Sequence, residues 1–168
     1  MAIGTFAGGK LFIGTTAAID FTSRPAAIAA FESDMLNNGL EIGGLNNMGE
    51  IGAAANIVQF PLVSDDFVAK SKGTRNAGDP AVIVGRLSDD PGQIRVREAE
   101  ATKYYYNFKL ELEDAENETM TNTVIYFRAL VGGIPNQFGG NEDFVTETYT
   151  LAIYPRPIYV ESSPIPSP

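Results

Sequence analysis

Residues 104–113 read YYYNFKLELE, with Tyr104, Tyr106, Phe108, Leu110 and Leu112 on one side of a two-residue period and Tyr105, Asn107, Lys109, Glu111 and Glu113 on the other. Only a strand sends alternate side chains to opposite faces, so this run predicts a half-buried β-strand with its register set by its own pattern. The acidic stretch DAENET then turns the chain into residues 123–131 (TVIYFRALV), β-rich and apolar on both faces. The two runs predict an antiparallel hairpin. With 168 residues, the chain can bury about 70% of its unfolded surface, enough for one domain with a real core.

The remaining segments also read mostly as strands. Residues 10–15 (KLFIGT) form a short β-type run; residues 57–62 and 67–71 predict two more, joined by turn chemistry at Ser64, Asp65 and Asp66. Residues 81–87 (AVIVGRL) are apolar on both sides until Arg86, which suits a strand covered on both faces at the centre of the core. Gly39, Gly43, Gly44, Gly49 and Gly52 divide residues 38–52 into turns and short strands. Residues 24–35 (RPAAIAAFESDM) have helical composition, with Pro25 suited to a first turn, and predict a single turn or a short helix. A helix after residue 90 is better defined: Asp90 as N-cap, Pro91 at the first helical position, and Gln93 placed to reach back as in a capping box. Residues 144–154 read as the last strand, with Val145, Tyr149, Leu151 and Ile153 on its apolar side. Pro155, Pro157, Pro164, Pro166 and Pro168 then predict an extended tail without regular pairing. The fold class expected is all-β with one short flanking α-helix, a β-sandwich or barrel over residues 1–155 followed by a Pro-rich tail over residues 156–168.

Composition removes most chemistry. The chain has no Cys and no His, so disulfides, thiolate nucleophiles, Ser-His-Asp catalysis and the preferred transition-metal ligands are all unavailable. No enzymatic activity, cofactor or metal is expected. A net charge of −9 argues against an outer surface that binds nucleic acid by neutralising phosphates. No segment has enough continuous apolar residues to span a bilayer, and the N-terminus lacks a signal-peptide pattern, so a soluble, cytosolically made protein is expected.

Several motifs imitate sites. Residues 4–10 match the start of a phosphate-binding loop, but Leu11 stands where a Ser or Thr would hold magnesium, and too few residues precede Gly4 for the supporting strand. Asp114, Glu116 and Glu118 alternate like early calcium-loop ligands without that loop's glycine and later bidentate Glu. The carboxylate pairs Asp65–Asp66 and Asp89–Asp90 sit where turns and caps already account for them. Asn117-Glu118-Thr119 is a formal glycosylation sequon, with nothing else to suggest a secreted eukaryotic protein. Lys70, Lys72 and Arg75 are the only basic cluster. A polar turn between strands would explain them; the sharper expectation is a subunit contact, pairing with acidic residues of a neighbouring copy.

Lys72-Gly73-Thr74-Arg75, Ala77-Gly78, the strand at 81–87, Asp90, Gly92 and Gln93, and Tyr106, Phe108 and Lys109 follow one another in an order and spacing that resembles the major tail tube proteins of long-tailed bacteriophages, the family of the phage lambda tail tube protein. Gly49 to Gly52 is a softer match to a further element of that family. The resemblance implies a virion structural protein that assembles as a homo-oligomer, hexameric rings stacked into a hollow tube for double-stranded DNA ejection. It implies the tape measure protein, the tail terminator and tail-tip proteins as partners, transient non-specific passage of double-stranded DNA, no membrane binding by the subunit, and residence in a virion tail assembled in the bacterial host cytoplasm. Unlike the lambda protein, the chain carries no added immunoglobulin-like domain, so no decoration role is expected. Related alternatives are the tube of a secretion or contractile injection system and, from a different class, a carbohydrate-binding β-sandwich module, whose exposed aromatic face the inward alternation of Tyr104, Tyr106 and Phe108 does not provide.

Overall fold

The computed structural model describes residues 3–64 and 66–166. In chain order it contains β1 (Lys10–Ile13), α1 (Arg24–Asn38), β2 (Leu40–Glu41), β3 (Leu45–Asn47), β4 (Ala54–Phe60), β5 (Ala69–Asn76), β6 (Ala81–Gly85), α2 (Pro91–Glu100), β7 (Tyr106–Glu111), β8 (Val124–Gly133), β9 (Asn136–Gln137), β10 (Thr146–Ile153) and β11 (Ile158–Val160). The protein is mostly β with two helices, not one. The main antiparallel sheet runs β2-β1-β7-β8-β10-β6-β3, with β9 added on β10 and β11 on β8.

That sheet must curl. Seven strands about 4.8 Å apart would put β2 and β3 about 29 Å from each other if flat. Yet only Ile42, Gly43 and Gly44 connect them, a link that spans at most about 14 Å. Backbone bonds hold the approach: Ile42 N–H donates to Leu11 O at 2.8 Å and Gly85 N–H to Gly44 O at 2.7 Å.

The alternation read from the sequence decides what lies inside the curl. Phe108 and Leu110 of β7 pair with Phe127 and Ile125 of β8, and the Phe108 and Phe127 rings stack at 5.3 Å. Leu11, Ile13, Val82, Val84, Tyr149 and Leu151 join the same core, closed by Val96 and Ala99 of α2. β8, not β6, is the central strand. β6 lies next to the end of the sheet path, so Val82 and Val84 are buried while Ala81 is exposed. Tyr104 also departs from expectation: it precedes β7 and is exposed.

The outer face is covered by α1. Ala27, Phe31 and Asp34, at i, i+4 and i+7, form its buried stripe, and Phe31 stacks on Tyr126 of β8 at 5.3 Å. The helix is a full 15 residues, longer than the single turn or short helix expected, because Leu36, Asn37 and Asn38 continue it until Gly39 N–H closes on Met35 O. Asn107, on the polar side of the β7 pattern, is buried beneath this helix. It donates to Asp34 Oδ2 at 2.9 Å, and Thr15 donates to the same carboxylate from its backbone N–H and its hydroxyl.

The chain beyond Pro155 is not an unpaired tail. Prolines interrupt pairing only where they stand, and Ile158–Val160 between them pairs with Tyr126, Ile125 and Val124 of β8. Further on, Pro164 bridges to Met120. Pro168 lies outside the described residues.

α2 begins as its sequence predicts. Asp90 caps it by accepting from Gln93 N–H at 2.9 Å. Gln93, however, does not turn back on the cap. Its side chain is fully buried; Nε2 donates to Gly43 O and Gly85 O, both at 2.8 Å, and Oε1 accepts from Leu87 N–H at 2.8 Å. Asp90 Oδ2 also accepts from Gly43 N–H. The helix start therefore staples the two ends of the curled sheet. Gly92 permits the approach, since a Cβ there would stand 2.1 Å from Glu41 O. Replacing Gln93 with Ala leaves partly buried backbone groups of Gly43, Gly85 and Leu87 without the partner they have now, and should cost about 2 kcal/mol or more in urea unfolding; a loss under about 1 kcal/mol, the size of an ordinary exposed substitution, would contradict the staple.

Candidate functional site

Lys70, Lys72 and Arg75 lie on a strand, not in a turn. They belong to β5, which among the described residues pairs only with β4, in a two-stranded ribbon separate from the main sheet. A ribbon lying on the body would have one covered face; here every residue of β5 is exposed, as is every residue of β4 except Ala55. Directly opposed residues share a face in an antiparallel pair. Ile57 with Lys72 and Gln59 with Lys70 therefore make a basic face, and Val58 with Ser71 and Phe60 with Ala69 an apolar one. Val58 is 52% and Phe60 67% exposed, so both faces of an amphipathic ribbon are open to solvent. Arg75 sits at the ribbon's root, opposite Ala55. The alternation KSK was legible as strand, but Gly73 and the polar composition favoured a turn.

The motifs that imitate chemical sites have structural roles. Residues 4–10 lead into β1 rather than into a helix, so no helix N-terminus faces a phosphate. A Cβ on Gly8 would meet the Glu113 carboxylate, an anion where a phosphate would have to sit. Asp114 accepts from Thr123 N–H at 2.7 Å, and among the described residues no group of three or more acidic side chains could hold a metal. Asp90 is the α2 cap; Asp65 lies outside the described residues. Asn117 Oδ1 accepts from Thr119 N–H and Oγ1 in a local turn. No helix among the described residues is long and apolar enough to cross a membrane. An open cavity of about 500 Å³ lies against Phe6, Met48, Ile51, Leu110, Ile125 and Tyr159 and holds no titratable cluster.

One buried charge looks catalytic. Glu147 of β10 is 1% exposed, within 3.0 Å of Arg86 Nε and 3.1 Å of Arg97 Nη2, and it accepts from Tyr149 Oη at 3.1 Å. Burial first, then the adjacent Glu147 carboxylate, push the Tyr149 phenol well above its ordinary range, so it stays a hydrogen-bond donor. Both carboxylate oxygens are engaged, and the cluster ties α2 to β10 and to the residue after β6. Sequence reading overlooked Glu147, although its parity is that of Tyr149, Leu151 and Ile153: an acid in an inward position is the signal of a buried ion pair.

The Asp34 group is the second buried carboxylate. Burial raises its pKa, but donors from Thr15, Asn107 and Asn38 outweigh this and hold it below the ordinary value of 3.8. A depressed folded-state pKa contributes stability that is present above the unfolded value and lost as pH falls through the folded one.

Comparison with known proteins gives a fold and no family. No family model matches the sequence, and no curated protein matches it. Among solved structures, a chain of the cryo-EM structure of the anti-feeding prophage baseplate, 6-fold symmetrised, shares the fold with a TM-score of 0.64 at 11% identity, over 96% of this chain and 98% of that one. The fold is thus that of a component of a phage-tail-like baseplate structure, and the likeness spans both chains nearly end to end.

Two substitutions separate these roles. Glu147→Ala removes the only carboxylate paired with Arg86 and Arg97 among the described residues and should lower stability by about 2–3 kcal/mol, less than for a fully desolvated pair because both arginines reach solvent; thermal unfolding measures it. Asp34→Asn should lower stability at neutral pH and flatten the acid limb, so that variant and parent converge as pH falls below about 4. Parallel urea curves at every pH would exclude Asp34 as the source of that limb.

Proposed function

We propose that this protein is a structural, non-enzymatic subunit of a phage-tail-like particle, assembling in six-fold rings that form the inner tube. The observation that carries this reading is the end-to-end agreement in fold with a chain of a six-fold symmetrised baseplate. The ribbon supports it on physical grounds. An isolated two-stranded hairpin is marginal in water, and unpaired strand edges invite another chain. Among the described residues β4 and β5 have no other strand partner, and the exposed Val58 and Phe60 of β4 offer apolar area for a neighbouring subunit.

Within this class the major tail tube subunit is the first reading, because the sequence from Lys72 to Lys109 carries the tube-protein resemblance. A tube or tube-base component of a contractile injection system is the second, favoured by the baseplate origin of the matching chain. The charge of −9 suits a conduit, since acidic walls repel DNA phosphates within about 8 Å at physiological salt. Lys70, Lys72 and Arg75 are read as part of a subunit contact.

Electron microscopy of the purified protein at rising concentration tests this. Six-fold rings, or tubes of constant bore, are expected. A protein that stays monomeric at every concentration and salt would remove the reading, whereas discrete rings that never stack would favour the tube-base component over the repeating tube subunit.

A further inference from the structure

Three arginines stand together on an otherwise acidic chain. Arg75 and Arg156 line one cavity of about 260 Å³ with Tyr154, and Arg156 and Arg24 line the adjoining one with Phe21 and Tyr159. Arg24 donates to Tyr159 O, but among the described residues none of the three has a carboxylate partner, whereas Arg86, Arg97 and Lys109 each do. All three are exposed. Arg and Tyr are the residue types most enriched where protein surfaces bind tightly.

The complementary surface lies at the other end of the same strands. Residues 112–123 connect β7 to β8, and Glu113, Asp114, Glu116 and Glu118 there are exposed and make no ion pair among the described residues. This loop is held in shape. Thr123 N–H fixes Asp114, Asn122 Oδ1 accepts from Ala115 N–H, and Thr121 N–H and Ile165 N–H bond to Ser163 O and Thr119 O. The loop leaves the sheet at the Glu111–Val124 pair. Arg75 and Arg156 gather beside the opposite end, with Ile153 and Tyr154, where Tyr154 N–H donates to Arg128 O and Tyr106 pairs with Ala129; Arg24 reaches along β11 to Tyr159 O, opposite Ile125. Five steps of β7 at about 3.4 Å separate the two, about 17 Å.

We infer that the arginine patch of one copy docks on the acidic loop of a second copy, a head-to-tail contact between opposite ends of the β7–β8 pair. It rests on the assembly reading above and names the partner of Arg75 in it. A contact between two different surfaces of one chain repeats from copy to copy, closing a ring or extending a stack. The charges on the two surfaces are opposite, which steers encounter and fixes orientation.

The test compares the parent protein with Arg75→Glu/Arg156→Glu, with Glu113→Lys/Glu116→Lys and with the quadruple variant, by sedimentation and electron microscopy at low and high salt. Circular dichroism establishes that each is folded. Each double variant should need about tenfold or more protein to assemble; the quadruple variant, or an equimolar mixture of the two doubles, should recover assembly. Parent assembly should weaken with salt. Double variants that assemble like the parent, or a quadruple variant no better than either double, would overturn this contact while leaving the assembly reading standing. A parent that never assembles would overturn both.

Discussion

The buried amide of Gln93 is the interaction on which the rest depends. The sheet has to curl until strands at its two ends meet across three residues, which brings the half-buried backbone of Gly43 and Gly85 against the fully buried side chain of Gln93. Unpaired peptide groups there would each cost about 1–3 kcal/mol. Gln93 supplies two donated bonds and accepts two, from Leu87 N–H and Arg97 Nη2. A carboxylate could only accept, and an apolar side chain could do neither. Because Gln93 is also the third residue of a helix capped by Asp90, sheet closure and helix initiation are a single structural event, and Gly92 is required for the helix start to come so close to Glu41.

The two faces of the sheet are specified differently. Inside, stacked Phe108 and Phe127 and the aliphatic residues around them need only shape. Outside, α1 is seated by one aromatic stack, Phe31 on Tyr126, and one polar group, Asp34 with Thr15 and Asn107. Burial first, then Glu32 and Glu111, push the Tyr126 phenol up to about 12, so it remains neutral beneath the helix. The buried polar contacts fix the helix in rotation and register, since sliding by one residue would strand a carboxylate and an amide.

Local pattern made the β7–β8 hairpin and the start of α2 readable: alternation defines the first, and Asp-Pro-Gly-Gln the second. What escaped depended on partners distant in sequence. Gln93 has the residue type and spacing of a capping box, but its side chain follows the curled sheet to Gly43, fifty residues away. Ile158–Val160 looks too short between prolines to pair, until the free edge of β8 is seen beside it. Ala81–Gly85 looks like a doubly covered strand because Ala81 and Ile83 are apolar, although small or apolar residues on an open face are common. The ribbon is legible only in part: residues 57–62 and 67–71 read as strands and overlap β4 and β5, whereas Gly73 and its polar neighbours carry turn signals that hide the second half of β5. Its lack of burial makes it the segment least explained by the isolated chain.

A net charge of −9 raises the question of how copies of this chain could associate at all. Screening answers part of it. Beyond about 8 Å at physiological ionic strength most like-charge repulsion between surfaces is lost, so assembly is governed by what meets directly. Arg86, Arg97 and Lys109 are committed within the subunit, whereas Arg24, Arg75, Arg156, the ribbon lysines, Lys10 and Lys103 are exposed and make no ion pair among the described residues. Lys70, Lys72 and Arg75 belong to the ribbon, and Arg24 and Arg156 lie beside the turn preceding β11. The acidic excess is then free to occupy surfaces where contact between copies is not required. Under the head-to-tail contact inferred above, the net charge does not decide the outcome: Arg75 and Arg156 need only meet the acids of one loop, and the charges that touch outweigh those a Debye length away.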